Sequence, residues 1–411
     1  MTHFFNPLEQ SCHRQSLPFG VLPRSSVLLF FVAAFLLAPK IDVIGVLRVE
    51  DFVFLMVLPI LAWRYTPRRT VIPRVLTWYF AYLGIAFLSA LVNYANLGLF
   101  GLFNVARQLQ YLVWFLVGAQ MAAAIPEDKF ERTLSIIAGL LILWWFAEAS
   151  GAVPKIGKFT GASGRVTLNT SGPYEISVVV VFLMLFVRKK ILLLGLFGIL
   201  LATQARITLV AALAAYMTFN PRHALIYGLP ACGLAVLFIL INPELILNSR
   251  LAETMLPAEM WSAFVDQIRA APVIYDLSEY RHFAYDTLWD QVGRSNDVSF
   301  EIRIIRWALI LKSLSADFLH TLIGWGPGAW GAAVDSHAVR YIGEVGLIGF
   351  SLVAAFMGVS VWSAAVPIEF RLATVVLIVC SLFIDVMTSS KIMSFFWVIL
   401  GYGYARSRLS R

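Results

Sequence analysis

Charged residues are scarce in this sequence. They make up 14% of 411 residues, where a soluble domain carries about 25%, and the mean hydropathy is +0.79. That shortage excludes an ordinary soluble domain and points to an integral membrane protein. Cysteine is scarce too. Cys12, Cys232 and Cys380 stand far apart, without metal-ligand spacing, and read as small hydrophobes. There is no His-x-x-x-His pair and no Cys/His cluster, so no metal is expected. The one glycine-rich turn lacks the Lys-Ser/Thr of a P-loop, and no outward-facing Asp-x-Asp pair offers to hold a cation beside a diphosphate. No cleavable leader is expected, because the residues before the first apolar run lack a small-residue end. Low-complexity tracts and soluble-domain repeats are absent.

What is present is a series of apolar stretches. Twelve are expected to span a membrane, near 25–39, 47–63, 75–93, 103–124, 133–149, 175–187, 191–203, 205–218, 225–242, 338–361, 371–388 and 392–405. The expected fold is an all-α polytopic membrane protein. Residues 1–242 form an N-terminal bundle of about nine spans, 243–337 a large loop with amphipathic helices, and 338–411 a C-terminal bundle of about three. Lys and Arg set the orientation. With the N-terminus inside, sixteen of the 32 basic residues fall on the cytoplasmic side, among them Arg68, Arg132, Arg188, Lys189, Arg371 and Arg406. Both termini are then cytoplasmic. The same asymmetry accounts for the net charge of +8, so nucleic acid is not an expected partner.

In this orientation Arg107, Arg165, Arg206, Arg303, Arg306 and Arg340 fall on the outer side, where the positive-inside rule does not ask for them. Arginine's planar fork suits phosphate, so together they suggest an anion site at the outer surface. Lipid headgroups are the alternative partner for the set. The intramembrane acids Asp51, Glu148, Glu175 and Asp385 fit a different class, the proton-relay groups of a transporter.

Polar groups concentrate between Ser299 and Phe350. Arg303 and Arg306 lie one turn apart, with Trp307 four residues after Arg303. The turn GWGPGAWG follows, with Gly324, Gly326 and Gly328. Its glycines allow close backbone approach to a ligand or a tight re-entry into the membrane. Then come Asp335, Ser336 and His337. His337, Tyr341 and Glu344 are spaced i, i+4, i+7 and share a helical face. His337 is the best single candidate for chemistry, as a proton acceptor or, when protonated, as a hydrogen-bond donor to a diphosphate. Asp335 is placed to orient it, and Glu344 is a second candidate base.

The run Arg-Ile-Ile-Arg-Trp, then Gly-Trp-Gly-Pro-Gly-Ala-Trp, then Asp-Ser-His with Glu-x-Gly-Leu-Ile-Gly resembles the C-terminal signature of the bacterial O-antigen ligase and polymerase family. Arg303, Gly324, Gly326, His337, Glu344, Gly346 and Gly349 fill its positions, and Thr203-Gln204-Ala205-Arg206 resembles the family's arginine at a mid-chain join. Ligases commonly carry Asn directly after the histidine. Ala338 stands there, which favours the polymerase branch, for O-antigen or exopolysaccharide.

The resemblance implies about 12 transmembrane helices in a GT-C-like arrangement and a glycosyltransferase of the bacterial inner membrane with its active site facing the periplasm. Donor and acceptor would be undecaprenyl-diphosphate-linked oligosaccharides, with lipid A-core as the acceptor of a ligase. No cofactor is implied, and membrane lipids, a flippase and a chain-length regulator are the implied partners. Arg206, Arg303, His337 and Glu344 would carry catalysis. Arg306, Arg165, Arg340, Arg107, Gly326 and Tyr341 would line the substrate site.

Overall fold

The structure, a computed structural model, describes residues 24–40, 42–44, 47–48, 52–57, 74–154, 165–170, 172–219, 257–277, 280, 298–315, 317–331, 334–363 and 366–409. These are almost entirely helical. The N-terminal part contains α1 (Arg24–Leu37), α2 (Arg74–Val92), α3 (Leu99–Ala124), α4 (Glu127–Ala149), α5 (Pro173–Met184), α6 (Lys190–Ala202) and α7 (Arg206–Phe219). Then follow α8 (Pro257–Ala270), α9 (Val298–Leu314), α10 (Phe318–Ile323), α11 (His337–Trp362), α12 (Ile368–Ser381) and α13 (Ser390–Leu409). The strands described are one short antiparallel hairpin, β1 (Asp42–Ile44) and β2 (Leu47–Arg48).

Ten of the twelve expected apolar stretches coincide with helices. The stretch 225–242 lies outside the described residues, as does most of 47–63, of which 52–57 is helical. Among the described residues, three helical segments, 75–92, 127–149 and 337–362, are long and apolar enough to cross a membrane, and four shorter apolar ones accompany them. The stretch expected over 371–388 is helical only to Ser381. A 3₁₀ turn, Val386–Thr388, follows it.

Helix starts follow local chemistry. α4 opens after Pro126 with Glu127 and Asp128 in its first turn, complementing the positive end of the helix dipole. Ser336 caps α11 by accepting the Val339 N–H at 3.3 Å. The main core joins residues of α1 to α7 with residues of α11 to α13. At its centre α3 and α13 approach backbone to backbone. A Cβ on Gly118 would lie 2.1 Å from the Val398 carbonyl oxygen, and one on Gly401 2.0 Å from that of Phe115. Only small residues permit such a crossing, the usual solution where helices pack in lipid. A second cluster belongs to the long loop. Ile274 and Leu277 after α8, Ile305 and Leu309 of α9, and Trp325 and Trp330 of the glycine-rich turn are buried together.

α11 is interrupted. Gly346 has φ 66° and ψ −173°, outside the helical region. The carbonyls freed by the break are satisfied from elsewhere, as their burial demands. Gly343 O accepts the Trp325 N–H at 2.9 Å, and Glu344 O accepts the Gly326 N–H at 2.9 Å and the Ser89 hydroxyl at 3.0 Å. The close approach expected of the glycine-rich turn is therefore made to this broken helix. A Cβ on Gly324, which has φ 77°, would sit 2.3 Å from the Glu344 carbonyl.

Candidate active site

The polar groups of the long loop and of the bundle meet at one end of α5, α11 and α13. Four segments build the site. α9 supplies Arg303 and Trp307, the stretch after the glycine-rich turn supplies Asp335 to His337, the link after α12 supplies Asp385, and the start of α5 supplies Tyr174.

Arg303 and Trp307 act as a pair. One helical turn apart, they grip neighbouring residues of the stretch that leads into α11. Arg303 Nε donates to Asp335 Oδ2 at 3.2 Å, and Trp307 Nε1 donates to Val334 O at 2.8 Å. The spacing Arg-x-x-x-Trp thus has a mechanical reason, since i and i+4 share a helix face. Arg303 remains 18% exposed and Asp335 33%. Burial works against the Arg303 charge, but Asp335, and after it Tyr174, outweigh that and raise its pKa.

Asp335 does not orient His337. It has φ 57°, a conformation Asp tolerates better than most residues, and its carboxylate is turned to Arg303. The carboxylate beside His337 is Asp385, whose Oδ1 lies 3.8 Å from Nδ1. That is ion-pair range, and Nδ1 has no hydrogen-bond partner among the described residues. The His337 ring stands edge-on to Tyr341, 4.3 Å between centroids, and Tyr341 packs in turn on Tyr82.

Asp385 is the hub of the buried part. Its Oδ2 accepts the N–H groups of Val334 at 3.1 Å and Asp335 at 3.0 Å. Arg340 binds it in bidentate fashion along one guanidinium edge, Nε to Oδ1 at 3.2 Å and Nη2 to Oδ2 at 2.8 Å. Arg340 Nη1 donates to Glu344 Oε1 at 3.1 Å and to Gly331 O at 2.7 Å. Arg340 and Glu344, expected as a ligand contact and a base, are thus held together inside the protein, their side chains 5% and 7% exposed.

A second arginine group adjoins the first through Tyr174. Arg165 donates from Nε to Thr203 O at 3.2 Å and from Nη2 to Gln204 O at 3.1 Å, which ties it to the join that ends two residues later in Arg206, the first residue of α7. The Arg165 guanidinium lies over the Tyr174 ring, 5.2 Å from its centroid, and the Tyr174 phenol also faces Arg303. The structure therefore brings Arg165 and Arg303 to one residue, with Arg206 two residues beyond the Gln204 carbonyl that Arg165 binds. Arg306 lies partly buried on α9, one turn beyond Arg303. Arg107, on α3, has no described contact with the group. Gly326 and Tyr341 are enclosed by protein, Gly326 against Leu97 and Asn93.

Trp325 and Trp330 are buried and present no open face to a ligand. Two residues outside the expected site belong to it, Tyr174 and Asp385, the latter read from the sequence only as a proton-relay acid. For Asp385 the signal is an acid within an apolar run, the class of residue that marks function in membranes. For Tyr174 the sequence carries no signal. No family model matches this chain, and no curated protein matches it.

Proposed function

We propose that this protein is a membrane glycosyltransferase. It transfers a glycan from a polyprenyl diphosphate to a sugar hydroxyl of a second lipid-linked repeat unit, on the outer face of a bacterial inner membrane. One observation carries the reading. Arg165 and Arg303, from distant parts of the chain, converge on Tyr174 close to a buried histidine that heads a membrane helix. An array of fixed guanidinium groups beside a titratable side chain suits departure of a diphosphate. The twelve-span topology, the outward orientation and the GT-C-like fold belong to this proposal.

In the reaction the acceptor oxygen attacks the anomeric carbon. The carbon–oxygen bond to the diphosphate breaks, the electron pair leaves with the diphosphate, and the configuration inverts. Arg303, Arg165 and Arg206 stabilise the charge that develops on the leaving group. The acceptor proton passes to His337, with Asp385 stabilising the imidazolium. We prefer His337 to Glu344 because the Glu344 carboxylate is taken up by Arg340.

The test is direct. Purified protein is incubated with lipid-diphosphate-linked repeat units alone. A ladder of products supports the polymerase. Transfer only when lipid A-core is added makes the protein a ligase of the same chemistry. No transfer to either acceptor refutes the proposal.

A further inference from the structure

The opposite end of α4, α5 and α6 carries a cavity of about 550 Å³ at the turn between α5 and α6. It lies far along α5 from Tyr174 and takes no part in the proposed transfer. Its rim holds Arg132, Arg188 and Lys189, and its walls include Ile136, Phe186 and Leu192. Of the three cations, Arg188 is already paired, at 2.6 Å from Glu131 and 3.8 Å from Glu127. Arg132 and Lys189 have no ion-pair partner among the described residues. Of the acids only Asp128 and Glu131 line the cavity, against three cations, so its lining keeps one surplus positive charge.

An apolar track leaves this cavity. Arg132, Ile136, Leu140 and Leu143 are spaced i, i+4, i+8, i+11 and share one face of α4. The three apolar residues are 55%, 44% and 65% exposed. A cation therefore heads a row of open apolar side chains on a helix that is long and apolar enough to cross a membrane. This is the arrangement of an amphiphile, an anionic head above a hydrocarbon chain. Basic recesses between membrane helices on the cytoplasmic side select anionic headgroups in this way, and the volume falls in the range of small-molecule sites.

We infer that this cavity binds one anionic glycerophospholipid, its phosphodiester between Arg132 and Lys189 and one acyl chain along Ile136, Leu140 and Leu143. A free phosphate would satisfy the cations but leave the track unused.

The experiment is native mass spectrometry of the full chain in detergent, titrated with phosphatidylglycerol, phosphatidylethanolamine or inorganic phosphate. Wild type is expected to hold the first phosphatidylglycerol more tightly than phosphatidylethanolamine. Arg132→Gln and Lys189→Gln are each expected to weaken it about fivefold, and the pair about 25-fold, from roughly 1 kcal/mol per cation near a lipid headgroup. Lys129→Gln, at an exposed position outside the cavity, should leave binding unchanged. Ser135→Trp, which fills the cavity and keeps every charge, should abolish the preference. The inference is overturned if the double variant binds like wild type, if Lys129→Gln weakens binding equally, if Ser135→Trp keeps the preference, or if inorganic phosphate displaces the lipid.

Discussion

Asp385→Ala offers the sharpest test of the buried network. Asp385 accepts two bonds from Arg340 and two from backbone N–H groups, and its side chain is 11% exposed. Removing one partner of a buried ion pair costs about 3–5 kcal/mol. Arg340 keeps Glu344 and Gly331 O, so the low end applies, about 3 kcal/mol. The N–H groups of Val334 and Asp335 lose their acceptor at about 1 kcal/mol each. The total is a destabilisation of about 5 kcal/mol. Asp385→Asn keeps one carbonyl oxygen for the two N–H groups, loses the charge, and should cost about half as much. Arg340→Gln leaves two buried carboxylates without their cation and should be worse than Asp385→Asn. The assay is the fraction that stays monodisperse in detergent after heating. The expected order of midpoints is wild type, then Asp385→Asn, then Asp385→Ala, with Arg340→Gln below Asp385→Asn. A midpoint for Asp385→Ala equal to wild type would refute the reasoning.

Three further outcomes are expected. Arg303→Ala should abolish transfer and Arg303→Lys should restore little of it, because a point charge cannot bind Asp335 and a diphosphate as a planar fork does. Full activity in Arg303→Lys, measured with the lipid-linked substrate, would reduce Arg303 to general surface charge. Gly346→Ala should destabilise by about 2 kcal/mol or more, since φ 66° is unfavourable with a side chain and the added Cβ would meet Leu322 O at 2.2 Å; an unchanged heating midpoint would contradict the break in α11. The Asp317 carboxyl is held below its ordinary value of 3.8, first by the Leu319 N–H and then, against a small burial effect, by His320. Its contribution to the α10 cap is therefore complete above pH 3.8 and disappears as pH falls through the lower folded value, so the acid limb of the wild-type stability profile should flatten in Asp317→Asn.

The membrane-type helices of this chain were legible in the sequence because each is a contiguous apolar run, and His337 was legible at a helix start because the apolar stretch expected from 338 begins beside it. What escaped is non-local. The partner of His337 was sought at Asp335, two residues away, and the structure supplies Asp385 from the far side of α12. The break at Gly346 escaped because an isolated glycine is ordinary in a membrane helix. What makes it a break is a set of donors that arrive from Trp325, Gly326 and Ser89, the last 255 residues distant from Glu344. Arg340 was read as a ligand contact on the outer side and Glu344 as a base. Their i, i+4 spacing allows the ion pair that the structure shows; what the spacing does not carry is Asp385 on the same guanidinium. The stretches 225–242 and 243–256 lie outside the described residues, and the structure does not bear on them.

The two halves of the candidate site depend on one short piece of chain, residues 385–391. Asp385 holds Arg340 and the stretch leading to His337. Four residues later the Ser389 hydroxyl donates to Glu175, the neighbour of Tyr174, and Glu175 is also paired with Lys40 at 3.0 Å. Lys391, 1% exposed, donates to the carbonyls of Ala38 and Asn169, while Asn169 donates to Leu36 O at 2.7 Å. Buried charges are costly to desolvate and are tolerated where every partner is supplied in a defined geometry. A link that carries two such charges, Asp385 and Lys391, and the Ser389 hydroxyl between them has little freedom to move. It fixes the Tyr174 end of α5, where the arginines converge, against the start of α11, where His337 stands. The helix of 371–388 stops early for the same reason. A continuous helix would carry Asp385 around its own axis, whereas the non-helical stretch 382–385, ahead of the 3₁₀ turn Val386–Thr388, frees the residue to meet Arg340 and the two N–H groups. The irregular backbone between α12 and α13 is thus what allows residues from four distant segments to form one site.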